Sequence, residues 1–265
     1  MSPAIETSAL TRCFGSFTAV DHIDLSVRPG EIFGLLGPNG AGKSTTIKMF
    51  TTLLRPTSGS ARIAGFDVMH SPMEIRKRIG YVPQMLSADG SLTAFENLQL
   101  SARLHGMRAA ERTMRIREAL DFTGLSEHAG KLVKTFSGGM IRRLELAQAT
   151  LHRPAVLFLD EPTIGLDPVA RKSVWERLQA LRHEYGMTIL LTTHDMDEAD
   201  FLCDELAIMH QGRIGAVGSP AELKDKVGPG ATLDDVFVAY SGVTLQESGS
   251  YREVGLSRRT LNRLG

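Results

Sequence analysis

The segment from Gly37 to Thr45, GPNGAGKST, restricts the fold more than any other stretch of this chain. It fits Gly-x-x-x-x-Gly-Lys-[Ser/Thr] at Gly37, Gly42, Lys43 and Ser44. A pattern of that length arises by chance in only about one chain in a hundred. A short apolar run, IFGLLG, precedes it, and STTIKMFTTLL, with helical character, follows. Such a loop works only between a buried strand and a helix, so the chain must contain an α/β sheet. Its glycines let consecutive backbone N–H groups curl around an anion, and the helix N-terminus adds partial positive charge. Lys43 is placed to reach the β- and γ-phosphates of a nucleotide, and the Ser44 hydroxyl to ligate Mg²⁺.

A phosphate loop calls for acidic groups at a neighbouring strand end. AVLFLDEPT supplies them, closing an apolar run with Asp160 and Glu161. In an open α/β sheet, ligands bind at the carboxyl ends of strands. The division of labour then gives Asp160 the metal ion, directly or through water, and Glu161 the attacking water. His194 ends the next apolar run, TILLTTH, at the same sheet edge, where it can meet the γ-phosphate. Gln84 ends IGYVPQ, just before the chain turns helical, and is a candidate for sensing the nucleotide.

The remaining pattern organises the chain around that core. Residues 17–36 read as an antiparallel strand, a turn and a buried strand, and residues 60–84 as further short strands with Gly turns. From about residue 88 to 152 the pattern is helical. SLTAFENLQLSARLHG opens with a capping box at Thr93 and Glu96, RAAERTMRIREALDFTGL closes near Gly124, and a third helix runs from Ser137 to His152. AVLFLD and MTILLTTH have the continuous apolar character of buried parallel strands, with a helix over residues 168–184 between them. ELAIMHQGRIGAVG reads as a hairpin turning at Gln211 and Gly212. TLDDVFVAY places Leu233, Val236, Phe237 and Tyr240 on one helical face, with Thr232 and Asp235 as a cap; docking on the chain's own core and a dimer contact both stay open.

Composition limits the function classes. Lys plus Arg number 30, as do Asp plus Glu, so no global field points toward nucleic acid. Two cysteines, Cys13 and Cys203, cannot build a disulfide framework and suit a reducing cytosol. The opening MSPAIETSAL lacks a basic start and an apolar core, so it is not read as a secretory signal. Runs such as AVLFL at 155–159 fall far short of the ~18 apolar residues that span a bilayer, so the chain is not expected to cross a membrane by itself.

Taken together, the phosphate loop, Gln84, SGGM, LFLDEP, GLDP and TTHDMDEAD occur in the order and approximate spacing of an ABC-transporter nucleotide-binding domain. The likeness covers residues 4–242. It is closest to the drug-exporter branch that includes the daunorubicin-resistance ATPases, which GEIFGLLGPNGAGKSTTIKM, FSGGMIRRLELA, GSPAELK and ATLDDVFVAYSG resemble. The resemblance implies a P-loop NTPase core with a mostly parallel sheet, an N-terminal antiparallel β subdomain and a helical insertion. It implies a nucleotide-binding domain over residues 1–242, with residues 87–152 as its helical subdomain, and a basic tail over residues 243–265.

The resemblance also implies residue roles. Phe14 sits where an aromatic stacks on adenine, with a buried apolar role as the rival reading. Gly37, Pro38, Asn39, Gly40, Ala41, Gly42, Lys43, Ser44 and Thr45 form the ATP cradle, and Ser44, Gln84 and Asp160 the Mg²⁺ set. Gln84 couples to the membrane partner. Ser137, Gly138 and Gly139 form a signature that touches the γ-phosphate of ATP held by a second copy, and Asp167 lies at that dimer interface. Glu161 is the catalytic base and His194 the switch histidine. Phe136 and Met140 stand where the broader family has Leu and Gln, although Met140 is familiar in the drug-exporter branch.

The implied function is that of an ATPase. Two copies pair head-to-tail on the cytoplasmic face of the cell membrane, held by a separate integral permease in two copies, and power export of a drug or other hydrophobic compound. Export of a lipid, glycan or ion is the alternative within transport. A soluble single-cassette ATPase, such as an iron–sulfur assembly subunit, is the alternative outside it. The basic tail, with Arg252, Arg258, Arg259 and Arg263, is read as solvated in preference to lipid-bound.

Overall fold

The structure, a computed structural model, describes residues 2–241; the basic tail lies outside the described residues. Two sheets share the molecule. The first is antiparallel: β1 (Ile5–Phe14) is flanked by β2 (Phe17–Ile23) and β5 (Ser58–Ile63), β6 (Phe66–Asp67) extends it, and β3 (Ser26–Val27) pairs with β1. The second runs β11 (Arg213–Gly218), β10 (Glu205–His210), β4 (Ile32–Leu36), β9 (Thr188–Thr193), β8 (Val156–Asp160), β7 (Ile79–Val82). Its strands from β10 to β7 are parallel, and β11 closes a hairpin antiparallel to β10. That hairpin turns at Gln211 and Gly212, both at positive φ, as read from the sequence.

The parallel strands are largely apolar because both faces are covered. Alternate residues divide between two cores. Phe33, Leu35, Phe158 and Leu190 face α1 (Lys43–Phe50) and the antiparallel sheet. Ile32, Leu36, Leu157, Leu159, Ile189 and Leu191 face α6 (Pro168–Tyr185), α7 (Met196–Leu202), α8 (Pro220–Val227) and α9 (Leu233–Ser241). Leu233 and Val236 of α9 are buried in this second core, with Phe237 and Tyr240 packed against it, so the helix docks on its own chain.

A third apolar cluster belongs to α3 (Ala94–Leu104), α4 (Ala109–Phe122) and α5 (Gly138–Thr150). The capping box at Thr93 forms as read, with Thr93 Oγ1 accepting the Glu96 N–H and the Glu96 carboxylate accepting the Thr93 N–H. α5 belongs to two cores at once: Leu144 and Ala147 face the helices, and Leu146 and Ala149 face the sheet.

Two elements depart from the sequence expectation. Residues 60–84 contain a short helix, α2 (Pro72–Arg76), in addition to strands; five residues are too few to show a helical period. The antiparallel strand read ahead of the turn in residues 17–36 is two strands, because β2 ends at Ile23 and pairing resumes only at Ser26.

Candidate nucleotide-binding and hydrolysis site

The phosphate loop joins β4 to α1. Gly42 stands at the helix N-cap with φ +106°, and no side chain caps the helix. The first-turn N–H groups, which have no intrahelical acceptors, are therefore open to an anion, and no acidic residue occupies that turn. A Cβ on Gly42 would stand 2.5 Å from the Ala19 carbonyl oxygen, and one on Gly37 would collide with the Met209 carbonyl. Only glycine lets the loop lie this close to β2 and β10. Lys43 is buried; its Nζ donates to Gly37 O at 2.7 Å and Pro38 O at 3.1 Å, and lies 3.3 Å from Glu161 Oε1. Burial lowers the ammonium pKa, and the Glu161 carboxylate opposes that shift. The amide cradle and the lysine together fit a polyanionic phosphate chain.

β8 delivers the acids. Asp160 Oδ1 accepts the Ser44 hydroxyl at 3.0 Å and the Thr192 hydroxyl at 2.6 Å. A hydroxyl and a carboxylate so paired are hard oxygen donors of the kind Mg²⁺ takes. Glu161 has φ +48°, a left-handed backbone that costs a non-glycine residue about 1 kcal/mol or more. Its N–H is held there by Thr192, through the hydroxyl at 3.0 Å and the carbonyl at 3.2 Å. The turn aims the Glu161 carboxylate at three groups. Lys43 Nζ lies near Oε1, while His194 Nδ1 at 3.2 Å and Gln84 Nε2 at 3.4 Å approach Oε2. Gln84 is thus brought to Glu161, and no bond joins it to the Ser44–Asp160 pair among the described residues.

The other expected residues lie apart from this cluster. Ser137 is the N-cap of α5, its hydroxyl accepting the Met140 N–H at 3.3 Å. Gly138 and Gly139 open the helix against α6; a Cβ on Gly139 would stand 2.7 Å from Ala170 Cβ. Asp167 caps α6, accepting the Val169 and Ala170 N–H groups at 3.0 and 2.9 Å, so the signature and Asp167 adjoin. Phe14, at the end of β1, is 46% exposed, which decides against a buried apolar role. The Arg12 guanidinium lies 4.5 Å from its ring centroid.

Two contributors escape sequence reasoning. Thr192 holds both acids, and nothing in the sequence separates its hydroxyl from those of Thr188 and Thr193 on the same strand. Glu198, on α7, is 1% exposed and accepts the Thr163 hydroxyl at 2.7 Å and the Trp175 indole N–H at 2.9 Å. Burial raises its carboxyl pKa against those bonds. Its signal was an acid sharing a helical face with Leu202.

The ABC transporter family profile matches residues 20–164, more than half of the chain, from β2 through the phosphate loop to the acids. The chain belongs to the ABC transporter family. It is 48% identical over 225 residues to the daunorubicin/doxorubicin resistance ATP-binding protein DrrA of Streptomyces peucetius, covering 85% of this chain and 68% of that protein. It is 40% identical over 238 residues to the probable multidrug ABC transporter ATP-binding protein YbhF of Escherichia coli (strain K12), covering 88% of this chain but only 41% of that longer protein. Among solved structures it resembles the ATP-binding cassette MJ0796 in a dimeric, post-hydrolysis state bound to ADP and Pi. That likeness has a TM-score of 0.73 and 27% identity, covering 81% of this chain and 98% of that one. As an ABC ATPase the chain binds ATP and hydrolyses it. No helix among the described residues is long and apolar enough to cross a membrane.

Proposed function

We propose that the chain is the ATP-hydrolysing subunit of a two-component exporter. Two copies act on a separate membrane permease that moves a drug or other hydrophobic compound out of the cell. The observation that carries this reading is the convergence of Lys43, Gln84 and His194 on the Glu161 carboxylate, within 3.2–3.4 Å, beside an open helix N-terminus. The loop from Gly37 to Thr45 holds the phosphates, and Lys43 turns from Glu161 to the β- and γ-oxygens when they arrive. Ser44, Asp160 and Gln84 would hold Mg²⁺, and the ion would supply charge neutralisation for the β- and γ-phosphates. Glu161 accepts the proton of the attacking water, and His194 stabilises the γ-phosphate from the adjoining strand.

Half of the reaction environment sits elsewhere in the chain, at Ser137–Gly139 and Asp167. A second copy packed head-to-tail brings its signature helix over the γ-phosphate and excludes water, making two composite sites. Phe14, exposed on the hairpin beside the loop, stacks on the base. Transport across the bilayer falls to a permease, against which the α3–α5 layer moves. The chain is thus peripheral, on the cytoplasmic face of the membrane. The likeness to DrrA supports a drug-like cargo.

Glu161→Gln is the deciding variant. Hydrolysis should fall by at least about a hundredfold, the usual contribution of general base catalysis, while ATP-dependent dimers persist on size exclusion with light scattering. A monomeric variant with normal turnover would refute the base assignment. Isolation of the native protein without any polytopic membrane partner would sink the transporter reading.

A further inference from the structure

Two charged residues that the site does not use lie fully inside the molecule, on the helix that begins with the signature. Arg142 is 1% exposed and Glu145 3%. The Arg142 guanidinium donates to Pro83 O at 2.7 Å, to Gln84 O at 2.8 Å and to Glu145 Oε2 at 3.0 Å. Glu145 Oε1 in turn accepts both the Ser87 N–H and the Ser87 hydroxyl. The segment from Pro83 to Ser87, which leaves β7 and carries the Gln84 side chain toward Glu161, is therefore tied at both ends to α5.

We propose that Arg142 and Glu145 are positioning residues that clamp the Gln84 segment to the signature helix, so that the two move as one body. This rests on the reading of the chain as an ATPase with composite sites. Apolar contacts alone would not fix that relation. α5 is shared between two cores, Leu144 and Ala147 facing the helices and Leu146 and Ala149 the sheet, and apolar packing is not directional. A planar guanidinium reaching two backbone carbonyls and a carboxylate is directional, and lysine cannot reproduce its fork. Stability is a weak reason to keep such a pair, because buried ion pairs are often replaceable by apolar residues without loss. Arg142 Nε also has no partner among the described residues. Ser137 precedes Arg142 by five residues, about 7.5 Å at 1.5 Å per residue of helix. A shift of Gln84 caused by nucleotide at Glu161 is thus delivered to the surface that reads the other copy's ATP.

The test compares the full chain, with its permease where the two copurify, as wild type, as R142M/E145L and as R142K. The apolar pair replaces the clamp with side chains that still fill the interior, and R142K keeps the charge while losing the fork. The clamp predicts a folded R142M/E145L protein, by an unshifted thermal transition, whose KM for ATP stays within about twofold and whose kcat falls roughly tenfold to a hundredfold, as for a catalytic group displaced by about 1 Å. R142K should show the same split. In a Glu161→Gln background, R142K should also lose ATP-dependent dimers at ATP concentrations that saturate the monomer. Turnover within twofold of wild type in either folded variant overturns the clamp. If the double variant does not fold, R142K alone decides. A wild-type chain without ATPase activity overturns the underlying reading instead, which is a distinguishable failure.

Discussion

His152 should make the stability of this protein depend on pH in a way that one substitution removes. The residue follows α5, and its ring stacks on His105 with centroids 3.7 Å apart and planes 11° from parallel. Both rings line an open polar cleft between β7, α3 and α5. Nε2–H donates to Ile79 O at 3.0 Å, which leaves Nδ1 as the unprotonated nitrogen, buried without a partner among the described residues. Burial above all, then repulsion from His105, pushes the His152 pKa down from 6.5 to about 4. The unfolded chain therefore takes up a proton near pH 6.5 that the folded chain refuses until about pH 4. The stabilisation is full above pH 6.5 and is lost as pH falls toward 4. At about 1.4 kcal/mol per pH unit, with the onset and end rounded off, the loss between pH 7 and 4.5 is about 2 kcal/mol. For a chain of this size that moves the melting temperature by roughly 4–8 °C. Carboxylates titrate in the same range, so the quantity to measure is the difference between wild type and His152→Gln, by calorimetry at half-unit pH steps. The variant loses the ring stack and starts from a lower plateau, but its curve should be flatter by that amount. Parallel curves for the two proteins would refute the burial argument.

Two further substitutions probe the site. Gly37→Ala drives a methyl group into the Met209 carbonyl, so it should cost about 2 kcal/mol of stability, as overpacking does, and abolish binding of a fluorescent ATP analogue; wild-type affinity would contradict the cradle. Ser137→Ala removes the α5 cap, at a cost of about 1 kcal/mol. It should impair hydrolysis while leaving nucleotide binding to the monomer intact. Loss of monomer binding in a folded Ser137→Ala protein would rule out a signature that acts on the ATP of another copy.

The parts that were legible in the sequence are those whose chemistry is local. The phosphate loop announces itself within nine residues, and the capping box at Thr93 within four. The parallel strands show as mainly apolar runs because both of their faces are covered. β1 left no comparable trace, although it is central to the antiparallel sheet. Its sequence IETSALTRCF does not alternate cleanly, because the pairing slips between Ser8 and Thr11 and Ala9 adopts positive φ. Arg142 carries no sequence signal of its own, since its acceptors, Pro83 and Gln84, lie 59 and 58 residues away in the chain. Thr192 and Glu198 were missed for the same reason: their partners are brought by other strands and helices.

The convergence on Glu161 follows from strand order. β4, β9, β8 and β7 are consecutive in the sheet and all parallel, so their carboxyl ends lie side by side. They deliver, in that spatial order, the phosphate loop, His194, the Asp160–Glu161 pair and Gln84. Strands stand about 4.8 Å apart, so four segments separated by up to 157 residues in sequence come within about 15 Å. Register does the rest. Asp160 pairs with Thr192, and Leu36 with Thr193, which sets the loop, the hydroxyl and the acids at one level. Side chains alternate faces along a strand, so a one-residue slip of β8 would exchange the surroundings of Asp160 and Glu161. The left-handed turn at Glu161, fastened by Thr192, holds Asp160 on Ser44 and frees Glu161 for Lys43, Gln84 and His194. Two adjacent carboxylates thus acquire different partners from one backbone angle and one neighbouring hydroxyl.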